Sequence, residues 1–94
     1  MKINKHDVIN RISFLARTNL FHILDSDIIK EELDHINIQN IEIKQYVYAQ
    51  LKGNYDCDVF ICKLTLTFMN EYIGYYEYIA DEKFNFIDEF FVLK

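Results

Sequence analysis

The sequence predicts an α+β domain: two N-terminal helices packed on one face of a four-stranded antiparallel meander. Three observations carry that expectation. Apolar residues recur at helical spacing through the first forty positions, the period changes to two from Ile41 onward, and brief turn signals separate the alternating stretches. The 94 residues suit one domain, 1–94, with 51% hydrophobic residues for a core. Two glycines and no proline leave little material for linkers.

Asn4 is placed to cap a first helix beginning at Lys5, with Asp7 in its opening turn. Val8, Ile12, Leu15 and Ala16 make its apolar stripe, which Ile9 widens. Thr18-Asn19 weakens the pattern, and the run `LFHIL` at 20–24 either continues the helix or packs as a connector. A second helix starts after Asp25 or Ser26. Ile28, Ile29, Leu33 and Ile36 form its expected buried stripe, Asn37 its stop, and Asp27, Lys30, Glu31 and Asp34 its solvated side.

The first strand lies in `IEIKQYVYAQLK`. Ile41, Ile43, Val47, Ala49 and Leu51 share one face, and Glu42, Lys44, Tyr46, Tyr48, Gln50 and Lys52 share the other. Gly53-Asn54 supplies a turn. In `CDVFICKLTLTFM`, Phe60, Cys62, Leu64, Leu66 and Phe68 point to the core, and Lys63, Thr65 and Thr67 point to water. A third strand runs from about Tyr72 to Ala80, turns at Asp81-Glu82-Lys83, and a fourth returns from Phe84 to Leu93. Here the alternation blurs. Tyr75, Glu77 and Ile79 share one parity, Tyr72, Tyr76 and Tyr78 the other, and neither set is cleanly polar. Tyrosine suits such half-buried positions, because its ring packs while its hydroxyl stays wet. The aromatics also exceed what one buried face requires, which points to a contact surface.

Catalytic and metal-binding patterns are missing from the sequence. Cys57 and Cys62, five positions apart on one expected strand, point to opposite faces, and no Cys-x-x-Cys or His-x-x-x-His pair joins them to His6, His22 or His35. Ser13 and Ser26 lie outside any nucleophile elbow. Two isolated glycines build no phosphate loop. The acid pairs Asp25/Asp27, Glu31/Glu32, Asp56/Asp58, Asp81/Glu82 and Asp88/Glu89 are spread along the chain as solvated surface. We therefore expect no catalytic residue, no metal and no cofactor. The segment `MKINKHDVIN` has no apolar stretch of the secretory kind and no run is long enough to span a membrane, so cytoplasmic location and reduced thiols are expected.

Charge is the more informative signal. The net value of −5 argues against direct nucleic-acid binding, which draws on a basic face. It is also polarised. Residues 1–24 carry +3, residues 25–42 carry −5, and residues 71–94 carry −4. An acidic second helix and an acidic last hairpin form a surface suited to a basic protein partner.

The ending `GYYEY…DEKFNFIDEFFVLK`, with a tyrosine-rich strand, an acidic turn and an Asp-Glu-Phe-Phe strand, resembles small bacterial immunity proteins. These are the cytoplasmic antidotes of contact-dependent growth inhibition systems and other polymorphic toxins. The resemblance implies a stoichiometric inhibitor without chemistry, whose carboxylates meet the basic cleft of a toxin nuclease domain while its rings anchor the complex. The residues expected to bind that partner are Asp27, Glu31, Asp34, Tyr46, Tyr48, Tyr75, Glu77, Asp88 and Glu89. Phage-encoded anti-defence inhibitors, anti-CRISPR proteins among them, share this size and acidity. A small enzyme or ligand-binding domain is the third reading, and a ligand-sized pocket lined by paired carboxylates would mark it. The last strand, as an exposed edge, also offers a place for a homodimer contact.

Overall fold

In the computed structural model, which describes residues 5–34, 36–50 and 55–94, helix α1 runs Lys5–Leu24. The expected cap at Asn4, and the assignments at His35, Leu51, Lys52 and Gly53-Asn54, lie outside the described residues. Val8, Ile12, Ala16, Leu20 and Leu24 are its buried residues. Every fourth residue follows a ridge inclined about 26° to the helix axis, so the buried stripe slants across the helix. The `LFHIL` run is therefore helix. Thr18 does not break it, because its hydroxyl donates to the Phe14 carbonyl one turn back at 2.8 Å.

Ser26 ends one helix and begins the next. Its hydroxyl donates to the Ile23 carbonyl at 2.7 Å, and its own carbonyl accepts from the Lys30 amide. Helix α2, Asp27–Glu32, is a turn and a half long, shorter than the spacing of isoleucines implies. Leu33 and Ile36 are buried as expected, but in the turn after the helix, and Ile28 is 74% exposed. The reason is angular. Ile28 stands about 100° around a helix from Ile29, so a helix that turns Ile29 inward leaves Ile28 in water. A 3-10 turn at Ile38–Asn40, capped by the Asn37 side chain accepting from the Gln39 amide, leads into the sheet.

The sheet has strands β1 (Glu42–Gln50), β2 (Val59–Phe68), β3 (Glu71–Asp81) and β4 (Phe86–Leu93) in the order β1-β2-β3-β4, each antiparallel to its neighbour. This is the expected α+β meander, with the helices preceding the strands. Cys62, Leu64, Leu66, Tyr76, Tyr78 and Ala80 face α1 and join Ile12, Ala16, Leu20, Leu24, Leu33 and Ile36 in one core. At roughly 25 cal/mol per Å² of apolar area removed from water, that layer is the chief stabilising term.

Two irregularities break the alternation of β3 and β4. Leu66 pairs with Gly74 but Thr67 with Tyr72, so Ile73 is an extra residue in β3. Ile79 pairs with Asp88 but Ala80 with Phe86, so Ile87 is an extra residue in β4. Gly74, at φ +154°, permits the first. A Cβ there would collide with the Val92 carbonyl oxygen of β4. The β2–β3 turn is two residues long, Met69 and Asn70, both with positive φ (51° and 66°) in the manner of a type I′ hairpin. The β3–β4 turn is organised by Asp81, whose carboxylate accepts from the backbone amides of Lys83 and Asn85 and from the Asn85 side chain. The Asn85 amide leads in holding this carboxyl below its ordinary range. Phe84, at φ 65°, stacks on Phe60 with ring centroids 5.9 Å apart, and the Arg11 guanidinium lies 4.8 Å from its ring centre.

Candidate interaction surface

A four-stranded sheet with helices on one side leaves its second face open, and the register determines what that face carries. Opposed residues of antiparallel strands share a face. Across the strands, successive rows on the open side read Lys44–Thr65–Tyr75–Val92, then Tyr46–Lys63–Glu77–Phe90, then Tyr48–Ile61–Ile79–Asp88. Glu42, Thr67 and Tyr72 make the row beyond the first. At the other end Val59, Ile61 and Ile79 are buried beneath Tyr55 and Ile87, forming a small second core. Burial, followed by the nearby carboxylates of Asp88 and Glu77, raises the Tyr55 hydroxyl above its ordinary pKa, and burial followed by the charge of Glu77 does the same at Tyr48.

The rest of this face meets solvent. Tyr46 is 55% exposed and Phe90 46%, and Tyr48, Tyr72 and Val92 are exposed beside them. Lys63 lies among them with its ammonium 4.5 Å from the centre of the Tyr75 ring, a cation–π contact that holds its charge over the face. The three central rows carry Lys44 and Lys63 against Glu77 and Asp88. The face is aromatic and mixed in charge rather than acidic.

Of the nine residues expected to bind a partner, Tyr46, Tyr48, Tyr75, Glu77 and Asp88 come together here. Glu89 does not. It pairs with Tyr78 on the covered side, where its carboxylate accepts a hydrogen bond from the Tyr76 hydroxyl at 2.9 Å. Burial first, and then this bond, push the Tyr76 hydroxyl far above its ordinary pKa. Adjacent residues of a regular strand point to opposite faces, so Asp88 and Glu89 cannot serve one surface. Asp27 and Glu31 are exposed on α2, and Asp34 in the turn after it, within the helical layer. The sheet separates them from the tyrosines. Lys30 there pairs with Asp25 at 3.0 Å, and that bond raises its pKa.

Sequence parity missed Tyr72, Phe90 and Val92. Tyr72 was grouped with Tyr76 and Tyr78, and the extra residue at Ile73 moves it to the other face. A glycine inside a strand pattern, Gly74, was the available signal. Cys57 precedes β2 and is exposed, whereas Cys62 is buried on the covered face, where burial pushes its thiol up to about 11. Among the described residues no group of three or more His, Cys, Asp or Glu could hold a metal ion, and no helix is long and apolar enough to cross a membrane.

Compared with protein-family models, curated proteins and solved structures, the chain matches none.

Two clefts bear on ligand binding. One of about 500 Å³ lies beside the end of α1, lined by Phe21, Leu24 and Ile38 with Thr18, His22 and Asp25 at its rim. A second, of about 360 Å³, brings Glu32, Glu71 and Lys94 around Leu33, Ile36 and Leu93. The adjacent acid pairs of the sequence do not converge in either.

Proposed function

We propose that this chain acts by stoichiometric binding of a protein partner, seated on the open face of the sheet and anchored by Tyr46, Tyr48 and Phe90. The observation that carries this reading is the exposure of those rings on one face of the sheet, Tyr46 and Tyr48 on β1 and Phe90 across the same face on β4. Aromatic side chains give large contact area at little entropic cost and dominate binding energy where they are exposed together. Glu77 and Asp88 stand among them to meet cationic groups, and the net charge of −5 steers a basic partner toward the molecule. A cytoplasmic immunity protein that neutralises a toxin nuclease domain is the form of this reading that the C-terminal hairpin supports. A phage anti-defence inhibitor would use the same surface, and gene neighbourhood distinguishes the two: an adjacent toxin gene for the first, a phage locus for the second.

The test compares variants of the intact protein in cells challenged with the toxin encoded beside it. Tyr46→Ala with Phe90→Ala should abolish protection and speed dissociation of the complex. Glu77→Lys with Asp88→Lys should slow association, with the difference shrinking as salt rises. Glu31→Lys on α2 serves as the control. Loss of protection from the α2 variant, with none from the ring variants, would refute the open face as the docking site.

A further inference from the structure

An open four-stranded sheet has two edges, and they are built differently. Strand β4 is blunted. The extra residue at Ile87 interrupts its register, and the Asp88 carboxylate accepts from the Glu89 amide at 2.8 Å, occupying a donor of the strand itself. Such devices keep an edge from pairing. Strand β1 has neither. Its nine residues pair with β2 from Glu42 opposite Thr67 to Gln50 opposite Val59 without a shift, and it holds no proline and no glycine.

We infer that β1 pairs with β1 of a second copy, antiparallel about a two-fold axis through Tyr46, extending the sheet to eight strands. The register follows from geometry. Opposed residues must share a face, so even-numbered positions face even-numbered ones. Full overlap of nine residues then sets Tyr46 against Tyr46. Lys44 meets Tyr48 of the second copy twice, once on each side of the axis, in position for cation–π contact. Glu42 meets Gln50 in the row beyond, and on the covered side Ile43 meets Ala49 and Gln45 meets Val47. No like charges are opposed. The same operation on β4 about Glu89 sets that carboxylate against itself, and about Phe90 sets Asp88 against Val92. The last strand, which the sequence offered as the pairing edge, is thus the poorer one. The β1 edge is also the electrically neutral one, with Glu42 balancing Lys44, so two chains of charge −5 meet where repulsion is least.

A strand-edge contact is small, so the dimer belongs with the weak, exchanging associations. Sedimentation equilibrium of the full chain across a concentration series should show a monomer–dimer exchange. Tyr46→Lys places two ammonium groups across the axis and should raise the dimer dissociation constant by roughly tenfold or more. Phe90→Lys on β4 should leave it unchanged. In a Cys57→Ser background, Tyr46→Cys should form an inter-chain disulfide under mild oxidation, since opposed strand residues lie within disulfide reach, and Phe90→Cys should not. A chain that stays monomeric up to about 1 mM, in the range of the weakest specific contacts, would overturn the inference. So would a dimer indifferent to Tyr46→Lys, or one cross-linked through position 90.

Discussion

The two faces of the sheet use the same amino acid to opposite ends. On the covered face Tyr76 and Tyr78 are buried beneath α1, and the Tyr76 hydroxyl reaches Glu89 at the margin. On the open face Tyr46, Tyr48 and Tyr72 stand in solvent, with Phe90 on the same face at the β4 edge. Composition does not distinguish these tyrosines. Register does. Tyr76 adds a protein acceptor for its hydroxyl, whereas Tyr46, Tyr48 and Tyr72 keep their rings in solvent as contact residues.

That contrast can be broken in graded steps. The largest effect should come from the centre of the covered face, where Leu64→Ala or Leu66→Ala should cost about 2–5 kcal/mol in a denaturant melt. Next comes the position that lets the two faces change parity. Gly74→Ala drives a methyl into the Val92 carbonyl and should cost at least about 1–2 kcal/mol, with loss of the β3–β4 hairpin signals in NMR spectra. Alkaline pH probes the covered face chemically. The folded Cys62 keeps its proton up to about 11, whereas the unfolded thiol loses it near 9.0. The stability this group contributes is therefore complete below about pH 9 and lost as pH rises toward 11, at up to about 1.4 kcal/mol per pH unit. Cys62→Ala should flatten that decline in urea midpoints measured across the alkaline range. At neutral pH a thiol reagent should label Cys57 and spare Cys62 until the chain unfolds.

Smaller steps test the tyrosines directly. Tyr76→Phe removes the hydrogen bond to Glu89 and should cost about 0.5–1.5 kcal/mol. Thr65→Ala, on the open side of the same strand as Leu64, should change stability by about 0.5 kcal/mol or less. If melts rank Thr65 above Leu64, the assignment of faces is wrong.

Strands β1 and β2 were legible because no extra residue interrupts their pairing: Leu64 inward and Thr65 outward follow from counting by two. The last hairpin was not legible in the same way. Counting by two fails across an extra residue, and neither Ile73 nor Ile87 announces itself by side-chain type. Helix α2 was overextended because Leu33 and Ile36 are apolar for the core's sake and are buried from a turn. Five of the nine proposed contact residues shared a face. Asp27, Glu31, Asp34 and Glu89 did not follow them, because net charge over a segment says nothing about which side of the sheet each carboxylate occupies.

The type I′ turn at Met69-Asn70 has a consequence in time. Every strand pair in this meander joins neighbours in the chain, and β2 and β3 are separated by two residues, so the loop-closure cost of that hairpin is the least of any sheet contact. Hairpins of this kind form in roughly 1–10 μs, and topologies dominated by local contacts fold quickly. We expect β2–β3 to be the nucleus onto which β1, β4 and α1 assemble. Met69, 80% exposed in a left-handed conformation, is a poor residue for such a turn. Replacing Met69-Asn70 with Asn-Gly should relieve about 1 kcal/mol of backbone strain. It should accelerate refolding in stopped-flow experiments while leaving the unfolding rate nearly unchanged, the signature of a turn already formed at the transition state.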